Sequence, residues 1–387
     1  MSTTDYRNRI DILIYLCSCA INKTPVDKDV LDCVNINELY DVADKHMLVS
    51  MIGQILSDNG INSTKFKKAV ARAQHKIIIL ENDYRYIISE FESSHIWYMP
   101  LKGVVLKDLY PCFAMREMAD IDVLFDSTRA DDVKSIMEKL EFQVKSFGMK
   151  NDDDYVKPPV SNFEMHRDLF YDKDEKLLFS YYKNAKNDLL IKDPDNSFGY
   201  HLKAEDFYIY MIAHEYKHYS LGGTGLRSLV DTYVYLNSNS LDLDYITAET
   251  RKLGIDEFEQ KNRSLSLKLF SGKELTEEDN LMLDYILSSG TYGTFDRRIE
   301  NSINKSGKKK NYIIRRILGP IRKDDPYGKQ FRIKYATFFK YPVLLPFLPI
   351  YRFINLIKNN PNKLKREVEV VSKVAKKKNS EKHCDSL

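Results

Sequence analysis

The chain has 387 residues, with 59 Lys and Arg against 56 Asp and Glu and a formal net charge of +3. That length can bury a full core and accommodate two or three lobes, and the near balance of charge excludes a protein that holds polyanions over its whole surface. The cysteines, Cys17, Cys19, Cys33, Cys112 and Cys384, form no CxxC pair and are odd in number, which fits a reduced, cytoplasmic setting better than a disulfide framework. Met1 to Thr24 begins polar and lacks a basic n-region, so no signal peptide is expected. No run of about 18 uninterrupted apolar residues is present, so no spanning helix is expected either.

The first ninety-odd residues read as helices. Apolar positions recur at helical spacing over Ile10–Ala20, Asn37–Leu56 and Phe66–Phe91, the last with Ile77 to Leu80, Tyr84, Ile87, Ile88 and Phe91 on one face. This part carries no visible chemistry and is expected to pack as a lobe on the α/β segment that begins near Trp97.

Chemistry begins at Trp97. Trp97 to Leu101 suits a strand, Lys102 and Gly103 form a turn, and Val104 to Tyr110 has helical spacing closed by Pro111. A glycine entering a helix N-terminus leaves room for a phosphate, which the free N–H groups favour and to which Lys102 adds a point charge. Ala119 to Phe125 then alternates, with Ile121, Val123 and Phe125 on one face and Asp120 and Asp122 on the other. Two carboxylates so placed repel unless a cation sits between them, and an oxygen donor set suits Mg²⁺ or Mn²⁺. A helix over Thr128–Leu140, a strand over Phe142–Phe147 and a polar, proline-bearing loop over Met149–Pro159 are expected next. Asn162 to Phe170 alternates again, setting Phe163, Met165 and Arg167 against Glu164, His166 and Asp168. A third carboxylate is thereby available, and His166 shares a face with Glu164 and could orient it.

From Lys203 the pattern becomes long helices: Glu205–Ser220, a turn at Gly222, Gly223 and Gly225, then Leu226–Leu236, Leu243–Leu253, Glu257–Phe270 and Glu277–Leu287. The first contains His214-Glu215-Tyr216-Lys217-His218, literally the H-E-x-x-H signature of zinc proteases. Against a zinc role, Lys217 sets a cation between the two ligands, and neither Asp231 nor Glu249 is locally marked as a third. From Lys305 onward Lys308, Lys309, Lys310, Arg315, Arg316, Arg322 and Lys323 make a dense basic stretch. Tyr341–Ile357 is apolar but broken by Pro342, Pro346 and Pro349, which forbid one continuous helix, and a lysine-rich tail runs from Lys363 to Lys382. This extension reads as a solvated amphipathic segment folding back on the body, or as one touching an anionic membrane from its surface. No recognisable nucleic-acid module accompanies it, so no specific nucleic acid is expected.

The pattern Leu101-Lys102-Gly103, then Tyr110-Pro111, then Arg116 four residues before Asp120-x-Asp122 in an apolar strand, resembles the uncharacterised nucleotidyltransferase-like group within the DNA polymerase β nucleotidyltransferase superfamily. Phe163-Glu164-Met165-His166 resembles that group's next strand, and His214 and His218 followed by Arg227 and Asp231 its downstream helices. The resemblance spans about Trp97 to Asp231. It implies that Asp120, Asp122 and Glu164 hold Mg²⁺ or Mn²⁺ and are catalytic, and that Lys102, Gly103, Arg116, His214, His218, Arg227 and Asp231 line the nucleotide cleft, with His166 behind the metal ligands. Lys102-Gly103 stands where the superfamily more often has Gly-Ser, and Asp120 lies further downstream than usual.

The expected fold is α+β: a polymerase β-like core over residues 95–200, an N-terminal helical lobe over 1–94, a C-terminal helical lobe over 201–304 and a basic extension over 305–387. The expected function is Mg²⁺-dependent transfer of a nucleoside monophosphate from a nucleoside triphosphate to a small-molecule, sugar or protein acceptor. The alternative is a nucleotide-binding or scaffold protein that keeps the fold without catalysis, and a zinc hydrolase stands third.

Overall fold

Burying Ile121, Val123 and Phe125 on one side of a five-residue strand decides where the rest of the core lies. The computed structural model describes residues 3–171, 175–291, 293–305, 312–313, 316, 331–359, 362 and 365–374. It divides into two compact units, one comprising Met1–Lys217 with Gly225–Thr291 and the other His218–Thr224 with Tyr292–Leu387.

In the first unit, helices α1 (Thr3–Asn22), α2 (Lys28–Asp32), α3 (Ile36–Lys45), α4 (Val49–Asp58) and α5 (Thr64–Ser93) lead into a mixed sheet. Its strands are β1 (Tyr98–Pro100), β2 (Ile121–Phe125), β3 (Gln143–Ser146), β4 (Asp152–Lys157) and β5 (Ser161–His166), in the order β1-β2-β5-β4-β3. Only the β2–β5 pair is parallel; its register sets Ile121 beside Phe163, Asp122 beside Glu164 and Leu124 beside His166. Between β1 and β2 lies the short α6 (Gly103–Leu106), and α7 (Ala130–Lys139) follows β2. Ile77, Leu80, Ile87 and Phe91 of α5 and Val133, Ile136 and Met137 of α7 pack on the face that carries Ile121, Val123, Phe125, Phe163 and Met165. Because side chains alternate along a strand, the opposite face is left to Asp122, Glu164 and His166.

After the sheet come α8 (Lys176–Tyr182), α9 (Ala185–Asp188) and a hairpin of β6 (Leu190–Lys192) with β7 (Tyr200–Leu202). Helices α10 (Ala204–Leu221), α11 (Leu226–Ser238), α12 (Leu243–Lys252), α13 (Asp256–Phe270) and α14 (Glu277–Ser289) follow. Helix α13 packs on both α11 and α1, so the first helices of the chain and these later ones share one unit with the sheet. The second unit contains α15 (Phe295–Lys305), α16 (Ala336–Lys340), a 3-10 turn over Pro342–Phe347 and α17 (Leu348–Asn359).

Three expectations need correction. The single amphipathic run Asn37–Leu56 is two helices, α3 and α4, broken at Met47, whose φ is +54°. The break seats His46 in the core, where its Nδ1 accepts from the Leu226 N–H at 3.1 Å. The run Met149–Pro159, expected as a loop because it is polar and proline-bearing, contains strand β4. The sheet satisfies two of that strand's three aspartates: Arg167 Nε donates to the fully buried Asp153 at 2.9 Å, and Ser146 Oγ donates to Asp154. Ile78, counted with the apolar face of α5, is half exposed. The prolines of the apolar segment 341–357 do break it, and Pro349 sits at the second position of α17, where its missing N–H costs nothing. Lys308 to Lys310, Arg315, Arg322, Lys323 and most of the lysine tail lie outside the described residues.

Candidate active site

The parallel pairing of β2 with β5 brings two of the expected acids side by side. Asp122 is buried and central. Its Oδ1 accepts from Lys102 Nζ at 2.8 Å and lies 2.7 Å from His166 Nε2. Burial would raise the Asp122 carboxyl, but the Lys102 ammonium and the hydrogen bond from His166 outweigh it and hold the group well below the usual carboxylate range. An ionised Asp122 only accepts, so His166 Nε2 carries the hydrogen of this bond, and the buried Nδ1 has no hydrogen-bond partner. His166 is 3.8 Å from Glu164, so the acid it orients by hydrogen bond is Asp122 rather than the expected Glu164.

Glu164 is about a third exposed and forms the open side of the cluster. Burial, then Asp122 and Asp120, push its carboxyl up to about 8. Asp120 stands just before β2 and is raised too, by burial first and then by Asp122. Cations approach Asp120 from two helices: Lys76 of α5 donates to the Ala119 carbonyl at 2.7 Å, and Arg227 of α11 donates to the Glu117 carbonyl at 3.1 Å. Asp122, Glu164 and His166 offer ligand atoms within 4.8 Å of one another, and theirs is the one such group of three or more His, Cys, Asp or Glu among the described residues.

Lys102 adopts a positive φ of 46° at the N-cap of α6, which turns the chain sharply enough for its ammonium to reach back to β2. Burial would lower its pKa, but Asp122 beside it more than offsets that, so Lys102 is a fixed cation. Gly103 is required by close approach: a Cβ there would lie 2.9 Å from Arg116 Nη1. Arg116 itself, through Nε and Nη2, makes a bidentate pair with Asp231 at 2.7 and 2.9 Å, and the Tyr110 hydroxyl donates to the same carboxylate at 2.6 Å. These two expected nucleotide contacts are therefore each other's partners, with Nη1 of Arg116 left at the Gly103 turn.

Helix α10 adds a residue that the sequence reading missed. Tyr210 is fully buried, its hydroxyl has no hydrogen-bond partner, and the charges that act on it are those of Lys102, Asp122 and Glu164. His214, one turn later, lies 6.3 Å from its ring and is half buried. His218 is exposed, and its carbonyl accepts from the N–H groups of Gly222 and Gly223 at the helix end. The signal that could have found Tyr210 is its i, i+4 relation to His214 on a helix the resemblance already placed at the cleft.

The zinc reading of H-E-x-x-H finds no third ligand among the described residues. Asp231 is held by Arg116 and Tyr110, and Glu249 by Tyr181 and Lys252. Glu215, the would-be general base, is buried and accepts from Asn262 Nδ2 at 3.1 Å. Burial pushes its carboxyl from the ordinary 4.5 up to about 7. Between those values the folded protein keeps a proton that the unfolded chain releases. Stability is therefore expected to fall as pH rises from about 4.5 to 7, by roughly 3 kcal/mol for a shift of that size. Urea unfolding at a series of pH values should show a shallower slope in Glu215→Gln than in the wild type, the remainder belonging to groups such as Glu164 whose carboxyl is raised through the same range; an unchanged slope in the variant would assign all of it to those other groups.

A family model described as "Uncharacterised nucleotidyltransferase" matches residues 32–271, a stretch that contains every residue of the acidic cluster, Lys102, Arg227 and α10. No curated protein and no solved structure matches the chain.

Proposed function

From the premise that the chain belongs to this nucleotidyltransferase family, we propose that it transfers a nucleoside monophosphate from a nucleoside triphosphate to an acceptor hydroxyl at the cluster of Asp120, Asp122 and Glu164, on a core of the polymerase β type. The observation that carries the reading is the meeting of Asp122 and Glu164 across the parallel β2–β5 pair, where with His166 they offer ligand atoms within 4.8 Å of one another. Asp120 stands just before β2, and its carboxyl and that of Glu164 are raised by burial first and then by their carboxylate neighbours. Such a set fits a divalent cation of the Mg²⁺ or Mn²⁺ kind, whose ligands are oxygens. Asp120, Asp122 and Glu164 would hold it, and when bound it would neutralise charge on the triphosphate and acidify the acceptor hydroxyl.

The chain's own groups do the rest. His166 fixes the Asp122 carboxylate by hydrogen bond, and Lys102 supplies a permanent positive charge at the turn where phosphates would enter. Arg227 and Lys76 add positive potential beside Asp120. Arg116 Nη1 lies at the Gly103 turn, which keeps a phosphate contact open to it. Tyr210 keeps a buried, unpartnered hydroxyl in the field of Lys102, Asp122 and Glu164, and His214 lines the same helix face. Asp231 acts here by bracing Arg116. The test is pyrophosphate release from each of the four ribonucleoside triphosphates, with Mg²⁺ or Mn²⁺ and with chelator; release that depends on the metal supports the reading.

One observation favours a second reading. The central carboxylate is already neutralised by Lys102 at 2.8 Å, as suits a nucleotide-binding or scaffold protein that has no need of a cation. Titration calorimetry separates the two: binding of a triphosphate with no pyrophosphate release over long incubation selects the scaffold.

A further inference from the structure

Helix α17 is built with its apolar side outward. Leu348 is buried, and Arg352 and Asn355 on the same face are partly covered, Arg352 by stacking 4.7 Å from the Phe331 ring centroid. Ile350, Phe353, Ile354 and Ile357 recur at i, i+3, i+4 and i+7 on the opposite face, and each is between 46 and 59% exposed. The preceding turn continues the surface: Tyr341, Val343 and Phe347 are 53, 83 and 58% exposed. A helix packed only against its own unit should turn these side chains inward. Single exposed apolar residues need no explanation, but a continuous stripe of them marks a surface meant to be covered.

The charge pattern says what covers it. From Phe331 to Asn359 there is no Asp or Glu, while Arg332, Lys334, Lys340, Arg352 and Lys358 are all basic, in a chain whose acids and bases otherwise nearly balance. Lys340 and Lys358 flank the apolar surface and are exposed. Aromatic residues lie among the apolar ones, as at a membrane–water boundary, where a ring can bury its body and keep its polar edge wet. No helix among the described residues is long and apolar enough to cross a membrane, and α17 spans 12 residues, too few for a bilayer core that takes about 20. We infer that the segment Tyr341–Ile357 docks this protein on an anionic lipid bilayer, the Ile350–Ile357 stripe and the Val343–Phe347 turn sinking into the headgroup boundary while Lys340 and Lys358 meet the lipid phosphates.

The test is flotation of the full chain with phosphatidylglycerol–phosphatidylcholine vesicles and with pure phosphatidylcholine vesicles. The wild type floats with the anionic vesicles, less with the neutral ones, and less again at high salt. Phe353→Asp with Ile354→Asp weakens partition by about tenfold or more, and Val343→Asp with Phe347→Asp does the same from the turn. Tyr86→Asp, at an apolar position 66% exposed on α5, retains wild-type flotation. Failure of the wild type to float with either vesicle overturns the inference. So does equal flotation of the Asp variants, or a loss in Tyr86→Asp as large as theirs. Sedimentation of the wild type as a dimer that the Asp pairs dissolve, without flotation, assigns the surface to a second copy of the chain instead.

Discussion

Replacing Asp120 and Asp122 together by Asn is expected to cut metal-dependent pyrophosphate release by about a thousandfold or more, the scale lost when a preorganised stabiliser of transition-state charge is removed. The substitution keeps the shape of both side chains and leaves an amide oxygen at position 122 for Lys102 Nζ and the His166 Nε2–H to reach. It removes the negative charge that would hold a divalent cation. It also leaves the largely covered ammonium of Lys102 without its anion, so a stability cost of a few kcal/mol is expected alongside the loss of activity. Unfolding curves and turnover must therefore be measured on the same preparations. Adding Lys102→Met to the double variant should return most of the stability and none of the turnover. Full pyrophosphate release in a folded Asp120→Asn, Asp122→Asn protein would end the case for this site.

Much of this cluster was legible because a strand's period of two is a strong constraint. Once Ile121, Val123 and Phe125 were assigned to the core, Asp122 had to face the other way, and the same reasoning turned Glu164 and His166 toward it from β5. The long helices could be read for the same reason, their apolar faces being many residues long. Partnership across the fold was not legible. β4 looked like a loop because its polar run and the prolines after it count as breakers locally, and the sheet brings in Arg167 and Ser146, which serve Asp153 and Asp154. The break at Met47 seats His46 against a backbone N–H from Leu226, far along the chain. Tyr210 reads as one more aromatic in a tyrosine-rich helix until its hydroxyl is found unpartnered and within the field of Lys102, Asp122 and Glu164. The outward face of α17 shows the same limit from the other side. Its periodicity is plain in the sequence, and the direction it faces is not.

Arg116 gives the second large effect. Its place four residues before Asp120 suggests a phosphate ligand, yet two of its nitrogens serve Asp231 in a site where both side chains are about nine-tenths buried. A bidentate pair of this kind fixes geometry as well as charge. Here it links the segment after α6 to α11, with Tyr110 donating to the same carboxylate. Breaking it from either side leaves a charge buried without its partner. Arg116→Met and Asp231→Leu are each expected to destabilise the protein by about 3–5 kcal/mol in urea unfolding. The double variant should recover most of that loss, because an apolar pair of similar volume carries no uncompensated charge. Additive losses in the double variant would mean that the two side chains act separately and that the pairing is not what holds this corner. The same cycle bears on function. Arg116 Nη1 packs against Gly103, so the stable double variant loses the cation behind the phosphate turn while keeping the acids, and its KM for the triphosphate should rise more than its kcat falls. A kcat loss with unchanged KM would instead place Arg116 at the reacting phosphorus.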